Sequence, residues 1–324
     1  MDIQKMIAEI KKTMDLRGGL REVFFVACGG SQAAIYPGKY LLDCEVCSFG
    51  VKIYNSSEFL NVAPKSLGPN ALVICCSLKA TRETVEALKF ANEKGAVTIA
   101  MTGSYETEMA KLGQYVVVYS NGDNQVYSRS NQSMSLRIAF ELLKVYENYE
   151  HYDAAMKAFS EIDGIVSRSK SRMLPMAQEF ASNYRNDEIF YVLGCGPLYG
   201  TAYSMVNCHF IEMQCRHAVL IHSGEYFHGP FETTNKDLAM ILLKSSGKTR
   251  TLDERVEHFL QNFAGRVLIL DVKDTEIENY IDPVVAEYFN SVIMIPIERF
   301  FVSELARVRN RSMDLRNYMW KFEY

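Results

Sequence analysis

The stretch HSGEYFHGPFE, residues 222–232, contains two of the chain's six histidines and two glutamates. Imidazole and carboxylate groups are the side chains that most often transfer protons in enzymes. A further carboxylate, Glu212, lies sixteen residues before His228 in the apolar segment CHFIEMQCRHAV. A carboxylate in such a segment is costly unless it is paired or used in chemistry. The stretch is therefore either a polar surface turn, with Glu212 on a solvated helix face, or part of an acid–base site.

Four of the six histidines, His209, His217, His222 and His228, lie within twenty residues, which raises the question of a metal site. No carboxylate stands at a metal-ligand spacing such as H-E-x-x-H, so we expect solvated or supporting roles for His209 and His217. Cys44 and Cys47 spell C-x-x-C, but the sequence has no second C-x-x-C that would complete a zinc site. The sequence therefore predicts no metal site.

Loops rich in glycine and hydroxyl groups follow three predicted strands. They are CGGS with Gly30 and Ser31, GCGPLYG at 194–200, and CSLKATRET with Ser77, Thr81 and Thr84. Parallel sheets bind ligands beyond the carboxyl ends of their strands, where helix N-termini hold anions. The loops favour a small phosphate ester, although each hydroxyl taken alone also suits a helix cap. Neither G-x-G-x-x-G nor G-x-x-x-x-G-K-[ST] is present, which argues against nicotinamide and nucleotide cofactors.

Short β-rich runs alternate with helical patterns along the chain, which is typical of α/β folds with parallel sheets and helices on both faces. The first set of predicted strands is VFFVAC (23–28), KIYNS (52–56), LVICCS (72–77), AVTIAM (96–101) and YVVVYS (115–120). The second set is IFYVLGCG (189–196), HAVLIHS (217–223), LAMILLKSS (238–246), RVLILDV (266–272) and SVIMIPI (291–297). A helical stretch from Ser133 through Tyr184 separates them. Their similar order indicates a duplicated domain, unless it reflects only the general likeness of α/β strands.

Composition restricts the class of protein. A chain of 324 residues with 48% hydrophobic and 23% charged residues has globular proportions and is long enough for two domains. A net charge of −4 lacks the basic excess that binding to nucleic acid demands. No apolar run reaches the roughly 20 residues of a membrane span, and the N-terminal segment is amphipathic. We expect a soluble, cytoplasmic protein with no nucleic-acid or membrane partner.

The segment EMQCRHAVLIHSGEYFHGPFE resembles the second-domain signature of the sugar isomerase (SIS) domain family, which includes the isomerase half of glucosamine-6-phosphate synthase. The resemblance to the ketosamine 6-phosphate deglycases of that family is greater, and it extends over VACGGSQAAIYPGKYLL, IYNSSEF, SSGKTRTLDER and NYMWKFEY. It implies two tandem SIS domains, 1–165 and 166–324, each with a flavodoxin-like parallel sheet. It also implies a homodimer with active sites near the subunit interface.

The same resemblance implies roles for individual residues. Glu212 resembles the base that moves a proton between C1 and C2 of the sugar, and His228 resembles the group that opens the sugar ring. Sugar-phosphate contacts are implied for Gly30, Ser31, Ser77, Thr81 and Thr84. Glu225 and Lys321 are candidates for supporting contacts or contacts to the substrate amine. No metal or cofactor is implied, because the substrate nitrogen itself stabilises the intermediate.

Three functions are compatible with these residues. A deglycase would convert a fructose-amino acid 6-phosphate to a hexose 6-phosphate and a free amino acid, and this is the function we expect. Glu212 and His228 would equally serve aldose–ketose isomerisation or hexosamine 6-phosphate deamination, and a regulatory SIS protein would bind a phosphosugar without turnover. The chain departs from the family in SLKATRET, where Ala80 replaces a glycine and one residue is missing, and in VYSRSNQSMS (126–135), which lacks an acid and a lysine.

Overall fold

The computed structural model describes residues 2–122 and 124–322. Residues 323 and 324, which end the NYMWKFEY segment, lie outside the described residues. The chain divides into two compact units, Met1–Ser160 and Glu161–Tyr324. This division and the boundary predicted after residue 165 both fall within one long helix, Tyr152–Tyr184.

A five-stranded parallel sheet with the order β2-β1-β3-β4-β5 forms the centre of the first unit. This is the strand order of flavodoxin-like folds, as the sequence predicted. The strands are β1 (Glu22–Ala27), β2 (Gly50–Tyr54), β3 (Ala71–Ser77), β4 (Val97–Thr102) and β5 (Tyr115–Val118). The helices are α1 (Ile3–Leu16), α2 (Gly29–Glu45), α3 (Ser56–Val62), α4 (Arg82–Glu93), α5 (Glu108–Leu112), α6 (Asn131–Glu147) and the long α7 (Tyr152–Tyr184).

The local sequence accounts for these elements. The strand β3 is ALVICCS, an apolar run that ends in Ser77. Every residue of it is buried, as expected for a central strand that is covered on both faces. The helix α1 begins at Asp2, whose carboxylate accepts a hydrogen bond from the backbone N–H of Gln4. Its buried residues recur at helical spacing and form one apolar face, namely Met6, Ile7, Ile10 and Met14.

The second unit contains a four-stranded parallel sheet with the order β7-β6-β8-β9. Its strands are β6 (Ile189–Gly194), β7 (His217–His222), β8 (Ala239–Lys244) and β9 (Arg266–Asp271). Its helices are α8 (Tyr199–Ser204), a π-helix (Met205–Met213), α9 (Arg250–Phe263) and α10 (Pro283–Val308). No helix within the described residues combines the length and the apolarity that a membrane span requires.

The prediction of a fifth strand at SVIMIPI (291–297) is wrong, because these residues lie in the middle of α10. A short apolar run fits a buried strand and a buried helix equally well. The helix start decides between them: Asp282 accepts a hydrogen bond from the backbone N–H of Val284, and Pro283 occupies the first helical position. The run is buried on all sides, so it shows no periodicity that would have identified a helix.

Parallel strand register brings the carboxyl ends of neighbouring strands to one edge of each sheet. In the first sheet Ala27 of β1 pairs with Cys76 of β3. In the second sheet Gly194 of β6 pairs with His222 of β7. The loops that follow these strands therefore emerge together, which is where ligands bind in open α/β sheets.

The two units share a glycine turn two residues after the first strand of each sheet. Gly29 follows β1 with a φ of +53°, and Gly196 follows β6 with a φ of +51°. At Gly196 a side chain would also collide, because a Cβ would lie 2.2 Å from the Thr249 hydroxyl oxygen. The shared turn supports the duplication that the sequence indicated.

Candidate active site

The loops after β1 and β3 lie side by side in the first unit. Gly30 is exposed and Ser31 is half-buried at the start of α2. Burial raises the pKa of the Cys76 thiol to about 12, and hydrogen bonds with Ser31 and Tyr119 partly oppose this rise. A thiol of this kind is neutral and unreactive near neutral pH. Ser31 therefore lies next to the end of β3, where the SLKATRET loop begins.

Ser77, Thr81 and Thr84 form a connected group of hydroxyls. The Ser77 hydroxyl oxygen accepts a 3.0 Å hydrogen bond from the backbone N–H of Thr81. The Thr81 hydroxyl lies 3.2 Å from that of Thr84, which lies 3.0 Å from the Ser56 hydroxyl. Ser77 and Thr84 are buried, whereas Thr81 is exposed and makes no side-chain cap to α4. Thr81 is thus the hydroxyl that a bound anion can reach directly, and Ser77 and Thr84 hold it in place.

Ala80 lies in the SLKATRET loop, at the position where the family resemblance implies a glycine. Its φ is +54°, in the left-handed region that glycine adopts without strain. The loop therefore keeps a glycine-like conformation at this point although the residue is alanine.

Glu212 lies near the end of the π-helix that follows α8 in the second unit. Its side chain is 24% exposed. Its Oε1 accepts a 2.7 Å hydrogen bond from Nε of Arg316 and lies 2.6 Å from a terminal guanidinium nitrogen of the same residue. Arg316 belongs to the segment after α10 and is 9% exposed. Glu212 is therefore neither on a fully solvated face nor buried without a partner.

His209 is buried, so of the two roles expected for it, solvated or supporting, the solvated one is excluded. Its Nδ1 lies 2.8 Å from the carboxylate of Glu298 on α10, and its Nε2 lies 3.4 Å from the Arg299 guanidinium. Glu298 has no solvent exposure, and burial raises its pKa while the neighbouring His209 lowers it. Residues three apart share a face of an α-helix, whereas the wider π turn directs His209 to α10 and Glu212 to the C-terminal segment.

The HSGEYFHGPFE stretch begins at the end of β7 and continues as a series of turns. Ser223 is buried and donates a 2.7 Å hydrogen bond to the buried carboxylate of Asp253. Tyr226 is also buried and bonds to Thr234 through its hydroxyl. These anchors fix the backbone of the loop.

The candidate catalytic residues of this loop are on its exposed side. Glu225 and His228 are both exposed, and the backbone N–H of His228 donates to the Glu225 carbonyl at 2.9 Å. Within the described residues no hydrogen bond or ion pair joins the His228 side chain to Glu212. His222 acts within the loop itself, since its Nδ1 accepts a hydrogen bond from the backbone N–H of Gly224 at 3.0 Å.

The C-terminal segment carries Lys321, whose ammonium group donates a 2.5 Å hydrogen bond to the backbone carbonyl of Arg316. Lys321 therefore contacts the residue that binds Glu212. Sequence reasoning missed Arg316, because it lies 104 residues from Glu212 in a stretch without periodicity. One indication of a cationic partner was present in the sequence: Glu212 lies in an apolar helical segment, where an unpaired carboxylate would be energetically unfavourable.

Metal binding finds no support in the side-chain arrangement of residues 2–122 and 124–322. No cluster of three or more histidine, cysteine or acidic side chains there has the geometry to hold a metal ion. Cys44 and Cys47 are both exposed at the end of α2 and just after it.

The chain resembles known proteins in sequence and in fold. The SIS domain model matches residues 20–142, which include the strands and loops of the first unit. Over 325 aligned residues the chain is 36% identical to the fructosamine deglycase FrlB of Bacillus subtilis, covering 100% of this chain and 97% of that protein. The chain belongs to the SIS domain family. With the two parallel sheets described above, it is a tandem SIS protein.

Other SIS proteins extend the comparison. The fructoselysine 6-phosphate deglycase of Escherichia coli K12 is 21% identical over 97% of this chain and 94% of its own length. A crystal structure from Salmonella typhimurium LT2, assigned as a phosphosugar isomerase, superposes with a TM-score of 0.95 at 35% identity and covers 100% of this chain and 98% of its own. A Bacillus subtilis structure with the same assignment has a TM-score of 0.94 at 35% identity, covering 99% and 97%. The SIS fold therefore extends through both units.

Proposed function

We propose that this SIS protein is a ketosamine 6-phosphate deglycase. The substrate is a fructosamine 6-phosphate, in which C1 carries the amino acid nitrogen and C2 is the ketone of the open chain. Removal of a C1 proton gives an enaminol, and protonation at C2 gives an imine at C1. Water then adds to C1 and the C–N bond breaks, which releases glucose 6-phosphate and the free amino acid. One water is consumed and no electrons are transferred to another molecule.

The observation that carries this proposal is the 36% identity to a fructosamine deglycase over the full length of both chains. A fragmentary match would support a shared sheet alone, because one fold hosts many reactions. A full-length match includes the π-helix, the HSGEYFHGPFE loop and the C-terminal segment. These are the parts of the second unit that carry the candidate acid–base groups.

Glu212 is the proposed base. An anionic carboxylate is required to remove the C1 proton, and Glu212 forms a charge-assisted contact with Arg316 that fixes its position. Arg316 donates its hydrogen bond to Oε1, and no hydrogen bond within the described residues reaches Oε2, which leaves Oε2 for the substrate carbon. General acid–base catalysis of this kind contributes about 10²–10⁴-fold to a rate.

His228 is the proposed acid that assists ring opening. Its exposed imidazole on an anchored loop supports a role at a surface that a substrate or a second subunit can cover. We further propose a homodimer in which this exposed loop lies near the subunit interface. Glu225, on the same exposed side, and Lys321, beside Arg316, are proposed as supporting contacts to the substrate amine or its carboxylate.

The first unit is proposed to bind the phosphate group of the substrate. Thr81, at the N-terminus of α4, offers an exposed hydroxyl that is held by its neighbours Ser77 and Thr84. Gly30 and Ser31 begin α2 at the same sheet edge, and helix N-termini favour anions. We propose no metal and no cofactor, because the substrate nitrogen supplies the stabilisation that the enaminol needs.

A cytoplasmic location is also proposed. No disulfide joins any two cysteines within residues 2–122 and 124–322, which is usual for proteins of reducing compartments. We also propose 1–165 and 166–324 as the two SIS domains of the chain.

The test is an assay of the purified protein with a panel of fructosamine 6-phosphates that differ in the amino acid, and with glucosamine 6-phosphate. We expect glucose 6-phosphate and free amino acid in equal amounts from at least one fructosamine 6-phosphate. Release of fructose 6-phosphate and ammonia from glucosamine 6-phosphate alone would reassign the chain as a deaminase. Binding of the phosphosugars without turnover would reassign it as a sensor.

A further inference from the structure

The hydrogen bond from Arg316 and the shortest ion-pair contact between Arg316 and Glu212 both reach the same oxygen of the Glu212 carboxylate. The Nε of Arg316 lies 2.7 Å and its terminal nitrogen 2.6 Å from Oε1. Within the described residues no hydrogen bond reaches Oε2 of Glu212. A guanidinium often binds a carboxylate in a bidentate manner, with one N–H donor to each oxygen. The observed geometry instead fixes the direction of the carboxylate and leaves the second oxygen accessible.

Arg316 is itself held from several sides. Its remaining guanidinium nitrogen donates to the backbone carbonyls of Met313 at 2.8 Å and Leu315 at 3.0 Å. The ring of Trp320 lies 5.5 Å from the centre of the guanidinium. The Lys321 ammonium group donates a hydrogen bond to the backbone carbonyl of Arg316, which links the chain on the C-terminal side of Arg316 back to it. A buried guanidinium with all of its nitrogens engaged has little freedom to turn, so it can set the orientation of its partner.

The segment that carries Arg316 is attached to the end of the π-helix. The Nε of Arg311 donates to the Met213 carbonyl at 2.9 Å. The side-chain Nε2 of Gln214 donates to the backbone carbonyl of Arg311 at 3.2 Å. Arg309 donates to the Gln214 carbonyl at 3.2 Å. These bonds satisfy carbonyls at the helix end, which otherwise lack partners. Glu212 and Arg316 are therefore carried by two pieces of chain that are tied to each other.

We propose that Arg316 is a positioning residue for the proposed deglycase reaction: it holds the Glu212 carboxylate by Oε1 so that Oε2 faces the substrate carbon. The inference rests on the proposed role of Glu212 as the base. Arg316 does not touch the reacting atoms in this account, and it acts through Glu212. A displacement of a catalytic group by about 1 Å can lower a rate roughly 100-fold, which sets the scale of the expected effect.

The experiment compares kcat and KM of wild type, Arg316→Ala and the control Arg307→Ala on the best fructosamine 6-phosphate. Arg307 also pairs with a glutamate, Glu304, at 3.0 Å, but on the exposed surface of α10. We expect kcat of Arg316→Ala to fall about 100-fold with KM little changed, because positioning affects the chemical step. Arg307→Ala should match wild type. An unchanged kcat in Arg316→Ala would overturn the inference, as would an equal loss in Arg307→Ala.

Two further measurements separate positioning from a purely structural role. Added guanidinium ion should restore part of the kcat of Arg316→Ala and none of that of Glu212→Gln, because the base itself is missing from the latter. Arg316→Lys should fall between wild type and alanine, since an ammonium group supplies charge without the planar pair of donors. If Arg316→Ala is unstable, the positioning role is tested by comparing the kcat of Arg316→Lys with that of wild type. A kcat of Arg316→Lys equal to wild type, or absence of guanidinium rescue, would contradict the proposal.

Failure of the proposed function would look different. If wild type turns over no member of the panel, the deglycase proposal fails. If wild type and Arg316→Ala are equally active, the deglycase proposal stands and only the positioning role of Arg316 is contradicted. The ion pair can still be tested in an inactive protein by a double-mutant cycle of Tm with Glu212→Ala and Arg316→Ala, each of which removes the contact. A coupled pair predicts that the second substitution lowers Tm less than the first. Strictly additive losses of Tm would overturn the pairing.

Discussion

The hydroxyl of Ser223 donates a 2.7 Å hydrogen bond to the carboxylate of Asp253, and both side chains are fully buried or nearly so. The same carboxylate accepts from the backbone N–H of Ser245 at 3.0 Å and from the Cys195 thiol at 3.2 Å. Three loops at the carboxyl edge of the second sheet are thus joined through one acidic group. This junction holds the start of the HSGEYFHGPFE loop in place.

Asp253→Asn should destabilise the fold by about 1–3 kcal/mol at neutral pH, because the new amide group places a donor against the Ser245 N–H. Burial raises the pKa of Asp253, although its hydrogen bonds oppose the rise. A raised folded pKa means that the pH-dependent part of the contribution of Asp253 is complete below its unfolded pKa, near 3.9, and is lost as pH rises through the folded value, whereas its hydrogen bonds contribute at every pH. The difference in free energy of unfolding between wild type and the variant should therefore shrink with rising pH. Denaturant unfolding at several pH values measures this difference in the free energy of unfolding. Asp237→Asn, at an exposed position, serves as the control. A difference between wild type and Asp253→Asn that grows with pH would contradict the prediction.

Ala80→Gly should raise the free energy of unfolding. The left-handed φ of +54° costs an alanine about 1–2 kcal/mol relative to its ordinary conformations, and glycine avoids that cost. Loss of the methyl packing and the greater unfolded-state freedom of glycine offset part of the gain, so we expect a net increase below about 1 kcal/mol. Ala80→Val should have the opposite sign, because a β-branched side chain suits this conformation least. Equal stability of the glycine and valine variants would show that the loop relaxes freely.

The sequence predicts the central strands well, and the reason is visible in β3. ALVICC is apolar throughout and is followed by Ser77 and the SLKATRET turn, so the pattern admits few alternatives. SVIMIPI has the same apolar character but is a helix, because Asp282 and Pro283, placed well before it, start a helix that continues through it. The deciding information lies outside the run itself.

The candidate site shows the same limit. The position of Glu212 on a helix and its distance in sequence from His228 can be read from the chain, since both depend on local pattern. The π turn that separates Glu212 from His209 cannot, because it depends on packing against α10. The pairing with Arg316 joins residues 104 positions apart and depends on how the chain after α10 returns to the helix end. Such contacts follow from tertiary structure alone.

His228→Asn should lower kcat by about 10²–10⁴-fold, the usual contribution of a general acid. The imidazole is exposed and no side-chain hydrogen bond of His228 occurs within the described residues, so stability should change by less than about 0.5 kcal/mol. Steady-state kinetics and thermal unfolding measure the two effects. His258→Asn, at an exposed position on α9, serves as the control and should leave both unchanged. A variant at position 228 with normal kcat would remove this histidine from the mechanism.

Mixing the inactive variants Glu212→Gln and His228→Asn tests the proposed homodimer. If each active site takes Glu212 from one subunit and His228 from the other, mixed dimers contain one site with both native residues. Unfolding and refolding the two variants together should then recover turnover that neither shows alone. Dimers confirmed by light scattering, with no recovery after mixing, would indicate that both residues act from the same subunit.

The most direct test of the central claim is the rate at which wild type and Glu212→Gln convert a fructosamine 6-phosphate to glucose 6-phosphate and amino acid. The glutamine is of equal size and keeps an oxygen for Arg316, but it cannot accept the C1 proton. We predict equimolar products from wild type and a loss of about 10²–10⁴-fold in kcat for the variant, with an unchanged circular dichroism spectrum. Glu232→Gln, an exposed carboxamide substitution in the same loop as His228, should behave as wild type. Near-normal turnover by Glu212→Gln would contradict the account.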